Sequence, residues 1–261
     1  MNKNARNLYF YFGRNDKHDY IATPVSNTIM IGQTGSGKTC FVNNAIIRMI
    51  MECNPKELSI DLYTLEETNS VWRHACEENR YVPQLTNVKE LSTDAETYCD
   101  QVKTILQEIW NNISIKLGIL KDNDAYSFTD CNIAWKQNVY VFEYSDLLFD
   151  NMNPEIEDLL CNIVKNSEKV GVYIMLIGQG LVNFNAERLL PYFSTKISSR
   201  VADGDFYETL FGNRTAGKSL NRYGDVMLKY MGQELEHLYI PFYPDTWIKK
   251  FIRYYGVTRK E

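Results

Sequence analysis

The 261-residue chain has no internal repeat, no low-complexity tract and no Pro-, Gly- or Ser-rich linker, so nothing in it marks a boundary between separate domains. Its six cysteines, Cys40, Cys53, Cys76, Cys99, Cys131 and Cys161, include no C-x-x-C pair, and its three histidines, His18, His74 and His237, lie far apart. Zinc-ligand and disulfide spacings are both absent, which points to reduced thiols. Residues 1–20 lack an apolar stretch of signal-peptide length, and no run approaches the ~18 apolar residues of a membrane span. A cytoplasmic chain is the expectation, held at the inner face of a membrane only through partners. Positive charge is not in excess either. The formal net charge of −5 argues against a protein that coats nucleic acid by bulk electrostatics, but not against a ring whose pore alone is basic.

What the sequence does contain is Gly32-Gln33-Thr34-Gly35-Ser36-Gly37-Lys38-Thr39, which satisfies G-x-x-x-x-G-K-[ST]. The context fits. Thr28–Ile31 is a compact β-type run before it, and Phe41, Val42, Ala45, Ile46, Met49 and Ile50 recur at helical spacing after it. Glycines let such a loop turn its N–H groups onto phosphates, and the following helix N-terminus adds partial positive charge. Lys38 is expected to reach the β- and γ-phosphates of ATP, and the Thr39 hydroxyl to ligate Mg²⁺.

Further along, strands alternate with helices. Residues 58–63 and 138–142 read as strands, 94–115 as a long helix, 154–164 as a helix opened by Pro154, and 170–177 as a strand apolar nearly throughout. This predicts an α/β fold of the RecA-like P-loop type: a mainly parallel sheet with helices on both faces. Residues 1–26 read as an N-terminal lead-in segment that packs on the motor, with an edge strand at Leu8–Phe12 and a turn at Gly13–Asp16, and residues 27–261 as the ATPase domain.

A P-loop enzyme also needs acids at the end of a buried strand. The candidate stretch is Tyr140-Val141-Phe142-Glu143-Tyr144-Ser145-Asp146. Glu143 is placed as the carboxylate that activates water, Phe142 falls where an Mg²⁺-holding Asp is usual, and Asp146 or Glu143 itself is the candidate to compensate. Gln179, just after the apolar strand, is placed at the carboxyl edge of the sheet facing a γ-phosphate. A second match to the loop pattern, Gly212–Ser219, is read as accidental, because Asn221-Arg222-Tyr223-Gly224 breaks rather than extends a helix. The basic, aromatic stretch Trp247–Lys260 is read as a terminal helix that packs its rings on the core.

Taken in order, these blocks resemble the FtsK/SpoIIIE family of P-loop motors, within the HerA–FtsK group, across roughly residues 10 to 245. The family's phosphate loop appears as TGSGKTCFVNNAII, and its acidic block as Phe142-Glu143-Tyr144-Ser145-Asp146-Leu147, with the first Asp replaced. Its later strand appears as Val170–Gln179 and its G-D block as Gly224-Asp225-Val226-Met227-Leu228. The chain departs from the family at Tyr63-Thr64-Leu65, where D-P-K is usual, and at Lys196, where an Arg is usual. Arg200 is the neighbouring candidate to reach the next subunit's phosphates. The resemblance implies self-association into a ring, a hexamer by analogy. It also implies ATP-driven movement of double-stranded DNA in conjugative, plasmid or phage transfer. The alternatives are the ATPase unit of a type VII-like secretion system acting on a secreted protein, and a nucleotide-binding module with little hydrolysis. The family's membrane-spanning part and small DNA-reading domain have no counterpart here. The sequence is therefore expected to be a stripped motor or one unit of a longer chain, with a membrane-anchored partner in either case.

Overall fold

In the computed structural model, residues 7–66, 71–73, 80–131, 135–181, 183–201 and 204–258 are described. His74, Cys76, Arg259 and Lys260 therefore lie outside the described residues, and the other five cysteines form no disulfide among the described residues. Ten strands form one sheet: β1 (Tyr9–Asn15), β2 (Tyr20–Pro24), β3 (Thr28–Ile31), β4 (Leu58–Leu65), β6 (Leu85–Leu91), β7 (Gln137–Glu143), β8 (Val172–Gly178), β9 (Thr195–Ser198), β10 (Asp225–Tyr230) and β11 (Glu236–Tyr239). A two-stranded ribbon pairs β5 (Arg80–Tyr81) with β12 (Val257–Thr258). The sheet order is β2-β1-β11-β10-β9-β3-β8-β7-β4-β6. From β9 to β6 all neighbours run parallel, and from β9 to β2 all pairs are antiparallel.

Helices cover both faces, as the strand–helix alternation predicts. On one face lie α2 (Ala95–Asp122) and α4 (Pro154–Asn166), packed with Ile29, Ile31, Tyr140, Phe142, Ile174 and Leu176. On the other lie α1 (Lys38–Glu52) and α7 (Asp245–Tyr255), packed with Met30, Val139, Val141, Met175 and Ile177. The two sets alternate along each strand because successive side chains of a pleated strand point to opposite faces. Short helices α3 (Asp146–Asp150), α5 (Ala186–Leu189) and α6 (Gly204–Phe211) are the remaining α-helices among the described residues. The helix boundaries follow local chemistry. The Asp94 carboxylate accepts from Thr97 N at the start of α2, and Asn153 accepts from Ile156 N ahead of Pro154 at the start of α4.

Three expectations need correction. The first strand is not an edge and does not turn at Gly13. β1 runs on to Asn15 between β2 and β11, because Gly13, with no Cβ, lets the Tyr239 carbonyl approach, whereas a side chain there would collide with it. The long helix continues to Asp122, seven residues past the expected end at 115. Val170 sits in a 3₁₀ turn closed by Gly171 in the left-handed region (φ 62), so β8 starts at Val172. The C-terminal expectation holds only in part: the helix ends at Tyr255 and Val257–Thr258 pair with β5, Phe251 is buried and Tyr243, Trp247, Phe251 and Tyr255 follow one another in ring contact, but Tyr254 points to solvent. Among the described residues no helix is long and apolar enough to cross a membrane.

Candidate nucleotide site

The phosphate loop joins β3 to α1 next to the junction of the parallel and antiparallel halves, with β3 between β9 and β8, at the carboxyl edge where ligands of open α/β sheets bind. Gly35 (φ 75) and Gly37 (φ 102) take left-handed conformations that a side chain would oppose, and Gly37 stands as the cap of α1. Gly32 is fixed by a different constraint. Its N–H donates to Gly178 O at 3.0 Å, and a Cβ there would collide with Ser199 Oγ. The loop is further tied to the end of β9: Gln33 N donates to Arg200 O at 3.0 Å, and the Ser36 and Ser199 hydroxyls lie 2.7 Å apart.

Lys38 Nζ donates to the loop's own carbonyls, Gly32 O at 2.6 Å and Gln33 O at 3.2 Å. Burial lowers its pKa, while Asp146 and Glu143 pull it back up. A half-buried ammonium aimed into its own loop is a cation that phosphate oxygens can claim by exchanging one set of acceptors for another.

Thr39 meets Glu143 directly. Its Oγ1 donates to Glu143 Oε1 at 2.9 Å, and the buried Thr64 hydroxyl donates to Oε2 at 3.3 Å. Glu143 is itself buried, and burial raises its pKa against the opposing pull of Thr39, Thr64 and Lys38. Hydroxyl and carboxylate oxygens at the N-terminus of α1 and the end of β7 thus stand together, a donor set that suits a hard cation such as Mg²⁺.

Phe142 lies on the other face. It pairs with Leu176 and Tyr63 across the sheet, stacks on the Tyr63 ring at 4.8 Å between centroids and is 1% exposed. The expectation that it stands at the metal position is not met by the geometry. The carboxylate that reaches Thr39 is its neighbour Glu143, because the two-residue alternation sends 143, not 142, to the face of α1. Nor is Asp146 a spare ligand: its Oδ1 accepts from the backbone N–H of Gln179 and of Gly180, and so it fastens the loop after β8.

Gln179 is exposed at the carboxyl edge, where its Oε1 accepts from Thr34 Oγ1 at 2.8 Å. Its side chain therefore bridges the phosphate loop to β8. Lys196 is elsewhere: it lies in the body of β9, in register with Ile29 and Lys229, and its pKa is lowered by burial and then by Lys229. Arg200 is exposed just past β9 and lines an open cavity of about 340 Å³ with Arg214 and Lys218. The second pattern match, Gly212–Ser219, follows helix α6 and ends in a 3₁₀ turn at Ala216–Ser219, so neither the strand nor the helix of a phosphate loop is present. Gly217 there is needed for packing, since a Cβ would run into the Tyr207 ring.

Sequence reasoning missed Thr64 and Tyr144. Tyr144 has φ 62, rare for a bulky residue, right after Glu143; burial raises its phenol pKa, Glu143 adds to this, and the Thr39 side chain opposes it. No sequence signal announces either residue, because both roles depend on strand ends that meet only in the sheet.

No protein-family model matches the chain, and no curated protein matches it. Solved structures do. The cytoplasmic domain of the Thermomonospora curvata type VII secretion ATPase EccC superposes with a TM-score of 0.74 at 17% identity, over 93% of this chain and 29% of that one. EssC (ATPases 2 and 3) from Geobacillus thermodenitrificans gives 0.71 at 14% identity, over 98% and 49%. The pCW3 conjugation coupling protein TcpA, in its monomer form with ATPγS, gives 0.70 at 14%, over 97% and 72%. The chain thus spans under a third of the EccC domain and about half of the EssC one. At these identities the likeness shows the fold alone, the α/β fold that these ATPases share and that the alternation of strands and helices predicts.

Proposed function

We propose that this chain is an Mg²⁺-dependent ATPase, one subunit of a ring motor of FtsK/SpoIIIE type that moves double-stranded DNA. The observation that carries the reading is the convergence of Lys38 and Thr39, at the N-terminus of α1, with Glu143, at the end of β7. Loop N–H groups and Lys38 bind and orient the triphosphate. Thr39 and Glu143 would hold Mg²⁺, which when bound neutralises charge on the β- and γ-phosphates. From the same position Glu143 would orient the attacking water and take its proton. Gln179, tied to Thr34, would sense the γ-phosphate from the β8 side. Arg200 is better placed than Lys196 to meet a neighbouring subunit, since it is exposed beside the phosphate loop.

A second reading, the ATPase unit of a secretion system that engages a protein substrate, is favoured by the net charge of −5. It is also favoured by the 93% of the chain that superposes on EccC. ATP turnover, measured with and without double-stranded DNA at several salt concentrations on protein of defined oligomeric state, separates the two. Stimulation by DNA that fades with salt supports the motor on DNA. Turnover indifferent to DNA rejects that cargo, and tight ATP binding with negligible turnover rejects the motor.

A further inference from the structure

Lys38, Thr39 and Glu143 account only for the phosphate end of a bound nucleotide. A triphosphate is a linear chain whose metal bridges its β- and γ-phosphates. That end is marked here by Glu143, which accepts from Thr39 Oγ1 at 2.9 Å, and by Gln179, which accepts from Thr34 Oγ1 at 2.8 Å. Both stand at the ends of β7 and β8, to one side of β3. The nucleoside therefore leaves the loop toward the other side, where β9, β10 and β11 follow in order.

On that side residues 221–224, the turn that leads into β10, come against the start of α1: a Cβ on Gly37 would lie 3.6 Å from Gly224 N. Glycine is what allows the approach. Gly224 is left-handed (φ 89), and a side chain on it would strike Ile240 O at 2.8 Å. The turn is also held in place. The buried Asp225 carboxylate accepts from Asn221 N at 3.1 Å and from Arg222 N at 2.8 Å, and Gly224 O accepts from Ile240 N at 2.9 Å. On this fixed turn Tyr223 is 86% exposed, and the ring of Tyr239, 47% exposed, lies against Gly224, 3.4 Å from where a Cβ would stand. A single exposed aromatic is ordinary. Two of them beside a glycine that touches the phosphate loop, on a turn whose backbone is tied down without them, are a surface waiting for a flat ligand.

We propose that Tyr223 and Tyr239 form the platform for the base of the nucleotide whose phosphates the loop holds. The inference rests on the nucleotide reading above and adds to it the residues that take the base. A phenol ring stacks on the π face that every nucleobase has. The contact would thus add affinity for adenine and guanine nucleotides alike, and none for a chain of phosphates without a base.

The test compares ATP with inorganic tripolyphosphate, which offers the loop a phosphate chain and no base. Calorimetric titrations with Mg²⁺ use the full chain as parent, Tyr223→Ala, Tyr223→Phe and Lys38→Ala. Stacking predicts at least about fivefold weaker binding of ATP and of GTP in Tyr223→Ala, unchanged binding of tripolyphosphate, and parental ATP affinity in Tyr223→Phe. The fluorescence of 2-aminopurine riboside triphosphate, which stacking quenches, should fall on saturation of the parent and of Tyr223→Phe and stay higher on Tyr223→Ala. The melting temperature should not move, since residue 223 is exposed. ATP and tripolyphosphate weakened alike would show that Tyr223 acts on the loop and not on a base, and parental ATP affinity in Tyr223→Ala would show that the base lies elsewhere. Either result overturns the platform while Lys38-dependent binding leaves the phosphate-loop reading standing. Binding of both ligands that is indifferent to Lys38→Ala would bring down the phosphate-loop reading itself, and the platform with it.

Discussion

Replacing Phe142 by aspartate is the perturbation that separates two accounts of the end of β7. If residue 142 faced the metal, the new carboxylate would supply an Mg²⁺-ordering anion and speed hydrolysis. The structure places the side chain on the opposite face, 1% exposed and stacked on Tyr63 at 4.8 Å. Removing a buried phenyl ring costs about 3–5 kcal/mol through lost contacts and the cavity left behind. A carboxylate in that apolar place, with no cation beside it, adds several kcal/mol more or is forced to protonate. The sum, roughly 6 kcal/mol or above, rivals the whole stability of about 5–15 kcal/mol typical of a domain. Phe142→Asp is therefore expected to be poorly folded near 25 °C, whereas Phe142→Leu, costing about 1–2 kcal/mol, should fold and keep its Mg²⁺ dependence. Thermal denaturation followed by circular dichroism, alongside steady-state turnover against Mg²⁺ concentration, reads both. A Phe142→Asp protein that melts with the parent and hydrolyses ATP faster would refute the reasoning and shift the register of β7 by one residue.

Lys38→Ala should abolish ATP binding or turnover, because it removes the fixed cation of the loop; calorimetric titration showing parental affinity would sink the phosphate-loop assignment. Glu143→Gln should retain ATP and lose most hydrolysis, checked by single-turnover measurement. The same substitution tests the electrostatics of the site. The folded-state pKa of Glu143 is raised by burial. Its contribution to stability is therefore greatest below the ordinary carboxylate range and is lost as pH climbs through the raised value, where the charged form must be held in the interior. The Gln variant should accordingly melt above the parent at neutral pH, with the gap closing as pH falls into the acid range. Lys218→Ala should leave ATP affinity unchanged, whereas Gly217→Ala should lower the melting temperature by the equivalent of about 1–3 kcal/mol, since a Cβ there meets the Tyr207 ring.

The phosphate loop was legible from the sequence because strand, glycines, lysine and helix are contiguous, and so was the cap-and-proline start of α4. The side on which Glu143 and Phe142 project was not. β7 is buried on both faces, its residues from Val139 to Glu143 all lie inside, and an unbroken apolar run hides the period-two signal that would tell one face from the other. The place of residues 9–24 in the main sheet was equally hidden, because β1 takes its second partner from β11, some 220 residues downstream, and no local pattern carries a pairing of that range. Thr64 and Asp146 join the site through tertiary contact alone, one donating to Glu143 and the other accepting from the loop after β8.

The strand that carries the phosphate loop is short, four residues long, and both of its ladder partners come late: Thr28 pairs with Met175 on one side and with Thr195 on the other. Strands separated by that much chain have to wait for it. At a synthesis rate of about 5–20 residues per second, the 147 positions between Thr28 and Met175 correspond to roughly 7–30 s in which β3 has left the ribosome without a neighbour. During that interval Thr28–Ile31, buried at all four positions in the finished sheet, is an exposed apolar strand with two open edges, the kind of segment that chaperones bind and that aggregates when they do not. High contact order places this pairing among the slow steps of folding. Competence to bind ATP, measured during refolding from denaturant, should thus lag behind the recovery of helical signal from α2, whose backbone hydrogen bonds close within the helix.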